Sequence, residues 1–398
     1  MMRIGVFEAK YLIHGLGGKC KMFNTGRDEI TVFTSREIAD QIKQELNTEE
    51  YEWVIKREDQ SGYSFLKEVE KICNERIDLL FVNTVTRVTP FLLFNPECKK
   101  ILRIHNSNYW FKWTQSYKKY YQFAVSEGKP QYSGIMEYLD PLVNAAMGPF
   151  ARKIIMHRYD ALSVEYQPLK KYIIDSFHYT RNIYVIPNLL YEGETTSINH
   201  DKIRFVVPGV ISNNRRDYSV IFSIFKELLS KYRKRIELYL LGIPRGEYGC
   251  DVINNFRGLK EAGYPLFYYE GNEYIPETEF RTVLAASDII ISPLYLDFYH
   301  KGVHEIYSQT KSTGAISDAI RYAKPLFVPD GFEVAEELKT SVLTYADAGD
   351  LKQKLEVLIN NTNELHRLQN AAVVNSEKFS LEKMRAYCGR MVDEVLNR

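Results

Sequence analysis

Short apolar runs alternate with amphipathic stretches along most of the chain. Arg3–Glu8 reads as a strand whose apolar run, Ile4 to Phe7, is closed by Glu8. Glu29–Ser35 (EITVFTS) is a second, β-branched strand, followed by a helical pattern from Arg36 to Leu46. Tyr51–Lys56 is a third strand. Tyr63–Arg76 sets Phe65, Leu66, Val69 and Ile72 at helical spacing. Asp78–Val85 (DLLFVNTV) and Lys100–His105 (KILRIH) are further strands. Tyr109 to His157 reads as largely helical, Ala161–Val164 as strand, Gln167–Phe177 as helix and Ile183–Ile186 as strand.

The polar stretch from Leu189 to Lys202 is the best linker, and beyond it the alternation restarts. Strands are predicted at Ile203–Val207, Ile236–Leu241, Leu266–Tyr269, Asp288–Ser292 (DIIIS) and Pro325–Val328. Helices are predicted at Tyr218–Lys231, Asp251–Ala262, Pro276–Ser287 and Ser317–Tyr322, and the remainder reads as helical to Arg398. Short apolar strands between helices imply parallel sheets covered on both faces. The expected fold class is α/β: two Rossmann-like doubly wound domains facing across a cleft, with the cleft as the default ligand site.

The length of 398 residues suits two domains. Lysine and arginine number 52 against 51 aspartates and glutamates, a balance that argues against a nucleic-acid partner. The five cysteines are odd in number and scattered, so a disulfide framework or zinc ribbon is not expected. No run of 18 apolar residues occurs. These features read as a cytoplasmic protein, with contact at the inner face of a membrane left open. The segment Tyr109–Phe123 (YWFKWTQSYKKYYQF) is where such contact would fall. Trp110, Trp113, Tyr117 and Tyr120 share one predicted helical stripe, with core packing as the plainer account.

Three clusters carry candidate chemistry. Gly15, Gly17 and Gly18 follow the first strand, but the dinucleotide fingerprint needs a third glycine where Cys20 stands. A substrate loop or a plain turn is the expectation there. In GVISNNRRDY, Gly209 opens a turn that leads through adjacent Arg215 and Arg216 into a helix. Guanidinium forks at such a junction suit a diphosphate, and a solvated basic turn is the alternative. In KSTGAISDA, Ser312 or Thr313 can cap a helix whose free N–H groups lie beside Gly314. Asp318, one turn further, can accept two ribose hydroxyls. His300 and His304 sit four apart with Glu305 adjacent, but Gly302 weakens a helix there and no Asp-x-Asp pair exists. No metal site is expected.

NIYVIPN (Asn182–Asn188) resembles the interdomain segment of GT-B nucleotide-sugar glycosyltransferases. RFVVPGVISNNRRDY, IELYLLG, YYEGNEYIPETEFRTVLAASDIIISPL and SDAIRYAKPLFVP resemble that group in the same order. The resemblance is closest to the large retaining group that acts in cell-surface polysaccharide and glycolipid synthesis. It implies an acceptor-side domain (1–188), a donor-nucleotide domain (189–379) and a terminal helix (380–398) that crosses back to the first. It implies a UDP- or GDP-linked sugar as donor and no cofactor. Gly209 matches the group's diphosphate glycine, Val210 stands where its arginine would be, and Arg215 aligns with its lysine, with Arg216 as a replacement charge. Asp318 falls on the ribose-binding glutamate and Thr310 on the residue that contacts the donor sugar. Lys311 or Glu305 would compensate for Thr310. His105 matches a histidine near the donor sugar, Gly17 and Gly18 match the N-terminal glycine loop, and Tyr274 falls near the base. His105 and Arg215 are the implied catalytic pair. The implied function is transfer of a hexosyl unit, without metal, to a saccharide or lipid-linked saccharide. A nucleotide-sugar epimerase and a non-catalytic nucleotide-sugar binder are the alternatives.

Overall fold

A computed structural model describes the chain except residues 11, 12, 44, 86, 87, 127–135, 194–201, 213, 214, 272–274 and 398. The predicted linker therefore lies mostly outside the described residues. The chain divides into two compact units. The first comprises Met1–Leu189, Tyr299–Ser312 and Leu381–Arg398, and the second Leu190–Phe298 and Thr313–Ser380. The segment Tyr299–Ser312, inside the donor span of the sequence reading, thus packs within the first unit.

The first unit is built on strands β1 (Arg3–Glu8), β2 (Glu29–Ser35), β3 (Tyr51–Lys56), β4 (Leu79–Val82), β5 (Lys99–Arg103), β6 (Ala161–Val164) and β7 (Ile183–Val185). They form one sheet in the order β3-β2-β1-β4-β5-β6-β7. Every pair is parallel, with Arg3 opposite Glu29 and Ile4 opposite Leu79. Parallel strands need crossovers, and helices supply them on both faces, so β4 is buried along its whole length. Strand order reverses between β1 and β4, where an open parallel sheet leaves a crevice at the carboxyl ends of its strands.

The second unit repeats this plan with β8 (Ile203–Pro208), β9 (Ile236–Leu241), β10 (Leu266–Tyr268) and β11 (Ile289–Ile291). A hairpin follows, β12 (Asp297–His300) and β13 (Val303–Ile306), then β14 (Leu326–Pro329) and β15 (Val342–Tyr345). The sheet order is β10-β9-β8-β11-β14-β15, all parallel, with its switch between β8 and β11. Phe205, Leu238, Leu240, Ile289 and Phe327 form its core with Phe225 and Leu228 of the helix Tyr218–Tyr232. Fully burying such a side chain contributes about 1.5–3 kcal/mol.

Three local expectations are corrected, and the segment of His300 and His304, where no metal-binding helix is expected, takes a defined form. Gly15, Gly17 and Gly18 lie inside a helix, Ile13–Phe23, and not in a loop or turn. Buried Leu16, Cys20, Met22 and Phe23 drive that helix onto the unit's core. The stripe from Trp110 to Tyr120 is broken: helix Ser107–Phe111 ends, and a second begins at Tyr117. Between them, Gln115 Nε2 donates to the Lys301 carbonyl at 2.6 Å and the Ser116 N–H to that of Gly302 at 2.9 Å. These tertiary partners replace helical ones. His300 and His304 lie on the β12–β13 hairpin, whose turn residues Lys301 and Gly302 have φ of 46° and 79°. Two consecutive positive φ values are what a tight hairpin demands. Finally, Val342–Tyr345 adds an edge strand where helix was expected; four residues are too few to show a period.

Candidate functional site

At the carboxyl end of β8, Gly209 has φ 98°, and an added Cβ would fall 2.5 Å from Arg216 Nη2. Only glycine fits that turn. An added Cβ at Gly242, after β9, would fall 2.0 Å from the Gly209 carbonyl oxygen. Two glycines thus let two strand ends close on each other. Arg216 is 8% exposed and donates Nη1 to the Val210 carbonyl at 3.1 Å. Its guanidinium lies under the Gly209 turn. Arg215 is half-buried, with its guanidinium carbon 5.9 Å from the Phe298 ring centre. Asp217 caps the next helix through the Ser219 N–H at 3.0 Å.

The helix Gly314–Arg321 runs back along the sheet into β14, so its N-terminus lies at the edge where the strands end. Thr313 caps it, accepting from the Ala315 N–H at 3.4 Å. Gly314 is exposed, with no atom within 4 Å of where a Cβ would sit. Asp318 is half-buried one turn in. The structure therefore brings Gly209, Arg215 and Arg216 together in one turn, and Thr313, Gly314 and Asp318 on one helix. Tyr274 lies outside the described residues.

The first unit gathers its polar groups at its own switch point. Glu8 ends β1, and its Oε2 accepts from Asn83 Nδ2, just past β4, at 2.8 Å. Arg103 ends β5, is fully buried, and donates Nη1 to Asn83 Oδ1 at 3.2 Å. Its Nη2 lies 3.5 Å from Glu165 Oε2, past β6. Lys19, on the glycine-bearing helix, is buried and donates to the Pro187 carbonyl. Burial, with Arg103 close by, holds its ammonium well below the usual lysine range. An added Cβ at Gly18 would lie 3.1 Å from the Asn188 carbonyl, and one at Gly17 would have ordinary contacts. Gly18 thus lets the helix approach backbone, while Gly17 meets only side chains at ordinary distance.

His105 follows β5, half-buried, with Nε2 2.8 Å from the Asn83 carbonyl oxygen. A carbonyl only accepts, so Nε2 carries the proton and Nδ1 is the acceptor. Burial first, then Arg103, holds this imidazole well below its usual pKa, so it is neutral at neutral pH. Glu305 on β13 is buried, and its carboxylate accepts the N–H of Asn108 at 3.2 Å and of Tyr109 at 2.6 Å. Burial pushes it up to about 7. Lys311 Nζ donates to Asn106 Oδ1 at 3.0 Å, and Ser312 Oγ donates to Glu165. Glu305 and Lys311, expected near a donor sugar, are thus tied to the segment that follows His105. Thr310 is buried and its Oγ1 accepts the Ile306 N–H at 2.7 Å, a hairpin-stabilising role. Among the described residues no cluster of three metal-ligating side chains occurs. Nor is any helix among them long and apolar enough to cross a membrane.

No protein-family model matches the sequence, and comparison with curated proteins finds no relative. Solved structures do match over nearly the whole chain. A glycosyltransferase from Rickettsia africae aligns with TM-score 0.63 at 12% identity, covering 99% of this chain and 98% of its own. Anabaena HepE in complex with UDP aligns at 0.60 and 10% identity, covering 99% and 100%. Sucrose-phosphate synthase from Thermosynechococcus elongatus aligns at 0.59 and 12%, covering all of both chains.

The chain has the GT-B fold.

In this GT-B chain the unexpected site residues are Glu8, Lys19, Asn83, Arg103 and Glu165. A signal for three of them was present: Glu8, Asn83 and Arg103 each interrupt or end an apolar strand run, in RIGVFE, DLLFVNTV and KILRIH. A charge at a buried strand end needs partners from other strands, and sequence spacing does not reveal which. Lys19 carries no such signal, because the three glycines beside it argue against a helix.

Proposed function

We propose that this GT-B chain is a glycosyltransferase that moves a hexosyl unit from a nucleotide-diphosphate sugar to a saccharide or lipid-linked saccharide, without a metal. The observation that carries this reading is the second unit's switch-point edge. There a glycine turn presents Arg215, and an open helix N-terminus at Gly314 offers free N–H groups. Together they suit a diphosphate. Asp318, one turn along, suits ribose hydroxyls. The UDP and UDP-glucose bound to HepE favour a UDP-linked donor.

In the reaction the bond from the sugar's anomeric carbon to the diphosphate oxygen breaks. The acceptor hydroxyl oxygen bonds to that carbon, and its proton passes to solvent. Charge grows on the leaving diphosphate, where Arg215 and the Gly314 N–H groups are preorganised to stabilise it. Neutral His105 offers Nδ1 as an acceptor to a sugar hydroxyl, with its ring held by the Asn83 carbonyl. A role in cell-surface polysaccharide synthesis at the inner membrane face fits one further feature. Trp113 (57% exposed), Met147 (58%) and Phe150 (54%) display apolar surface, with Lys112, Lys118 and Lys119 in the same part of the chain.

Thermal shift with UDP and GDP, with EDTA or magnesium, tests the donor site, and sugar transfer from the stabilising nucleotide's glucose conjugate tests the reaction. A ligand at 100 times its dissociation constant adds about 2.7 kcal/mol. No shift with either nucleotide would sink the reading. A second reading has its own observation: Thr310 is spent on the hairpin, where the resembled group places a sugar-contacting residue. Metal-independent nucleotide binding with no transfer to any acceptor would mark a non-catalytic binder, and donor turnover without acceptor an epimerase.

A further inference from the structure

A cavity of about 600 Å³ opens in the first unit, away from the switch point. It is lined by Lys153, His157 and Arg158 at the end of one helix and by His178, Thr180 and Arg181 just past another. These segments lead into the start of β6 and of β7, so the cavity lies at the sheet edge opposite Asn83 and His105. The floor is aromatic. Phe111 stacks on Phe177 at 4.8 Å, and Tyr179 meets Phe111 edge-on at 5.5 Å.

Among the described residues the lining carries three permanent cations and no carboxylate. The arginines are fixed by carbonyls, not by acids. Arg181 Nη1 donates to the carbonyls of His157 and Tyr159, both at 2.9 Å, and Arg158 Nη1 to that of Leu92 at 2.6 Å. Carbonyls hold a guanidinium in place without cancelling its charge. Lys153 Nζ lies 3.5 Å from the Trp113 ring centre. Glu70, which also pairs with Lys67, acts on Arg158 from outside the lining. The Tyr179 hydroxyl is buried with no hydrogen-bond partner among the described residues. Fixed cations with no acid in the lining, around an aromatic floor, are a receptor for an anion attached to a less polar body.

We propose that this cavity is a second binding site, for a phosphate monoester or diester carried on a sugar or on a lipid headgroup. It is separate from the donor edge and stands whether or not the transferase reading does. The tetrahedral group would lie against Arg158, Arg181 and Lys153, with its carrier on Phe111 and Phe177.

Calorimetry with glucose 6-phosphate, with glucose as control, tests the soluble source in the presence of saturating UDP. Flotation with phosphatidylglycerol or phosphatidylcholine vesicles tests the lipid source. Thr180→Glu and Lys153→Glu each place an acid in the cavity at an exposed or half-buried position. Both variants are expected to keep the wild-type Tm and UDP response. Glucose 6-phosphate binding that weakens about tenfold or more in both variants supports the site with a soluble ligand. Flotation with phosphatidylglycerol alone, lost in Thr180→Glu, supports it with a lipid. Absence of binding in both arms, or binding that neither substitution weakens, overturns it. A missing UDP response beside intact phosphate binding would count against the donor site only.

Discussion

The Glu305 carboxylate accepts the backbone N–H of Tyr109 at 2.6 Å, at the first turn of the helix that follows His105. It also takes the Asn108 N–H, so a buried acid holds the start of that helix. Burial raises its pKa from 4.5 to about 7. Its contribution to stability is full below pH 4.5 and is lost as pH rises through about 7. A shift of that size is worth about 3 kcal/mol. Neutral His105 acts with the opposite sign, losing stability as pH falls below 6.5. The difference between Glu305→Gln and wild type therefore isolates Glu305. The variant's Tm, relative to wild type, should climb as pH goes from 5 to 8. A difference independent of pH would show that Glu305 titrates normally.

Arg215 and Arg216 are adjacent and should separate by substitution. Arg215→Ala is expected to lower turnover roughly tenfold to a hundredfold with little change in Tm, about 1.4 kcal/mol per tenfold. Arg216→Ala should lower Tm, because its guanidinium fills the space under Gly209. Kinetics and melting curves on both variants check this. Wild-type activity in Arg215→Ala would remove it from the site.

Gly209→Ala should destabilise the second unit by at least 1 kcal/mol. Its φ of 98° and the 2.5 Å approach of Arg216 Nη2 leave no room for a methyl group. Gly314→Ala, with open space around it, should fold normally and disturb ligand binding instead. Urea titrations of the two proteins would show whether one glycine serves the fold and the other the ligand.

Arg103 is wholly buried, with Nε and Nη2 lacking hydrogen-bond partners among the described residues. Its Nη2 nonetheless lies 3.5 Å from Glu165 Oε2, and removing one partner of a buried pair leaves the other charge uncompensated, at a cost of about 3–5 kcal/mol. Arg103→Met should therefore lower Tm markedly, and adding Glu165→Gln should recover part of the loss. An unchanged Tm in Arg103→Met would show that the pair contributes nothing to the fold.

The two sheets were legible because parallel strands buried on both faces leave unbroken apolar runs such as DIIIS and IELYLL. The turn at Gly209 and the cap at Thr313 were legible because each depends on neighbours in sequence. The glycine-bearing helix was not, since a helix that docks through Leu16, Cys20 and Phe23 tolerates three glycines that its own propensity would reject. The broken aromatic stripe was hidden for the same reason: Lys301 and Gly302 lie nearly two hundred residues from the Gln115 and Ser116 they bind. The Glu8–Asn83–Arg103–Glu165 cluster joins four strand ends that sequence spacing leaves unrelated.

The first unit closes on its own last helix. Leu381–Leu396 packs on Ile13–Phe23, and Arg385 Nε donates to the Lys21 carbonyl at 2.9 Å. A ribosome adding about 5–20 residues per second needs roughly 10–40 s to make everything between Leu189 and that helix. For that interval the earliest helix of the chain has no cover for the face that will meet it, and the fold's first-made half is completed last. Emergence of Leu381–Leu396, rather than of the first 189 residues, should set the moment at which the first unit resists protease.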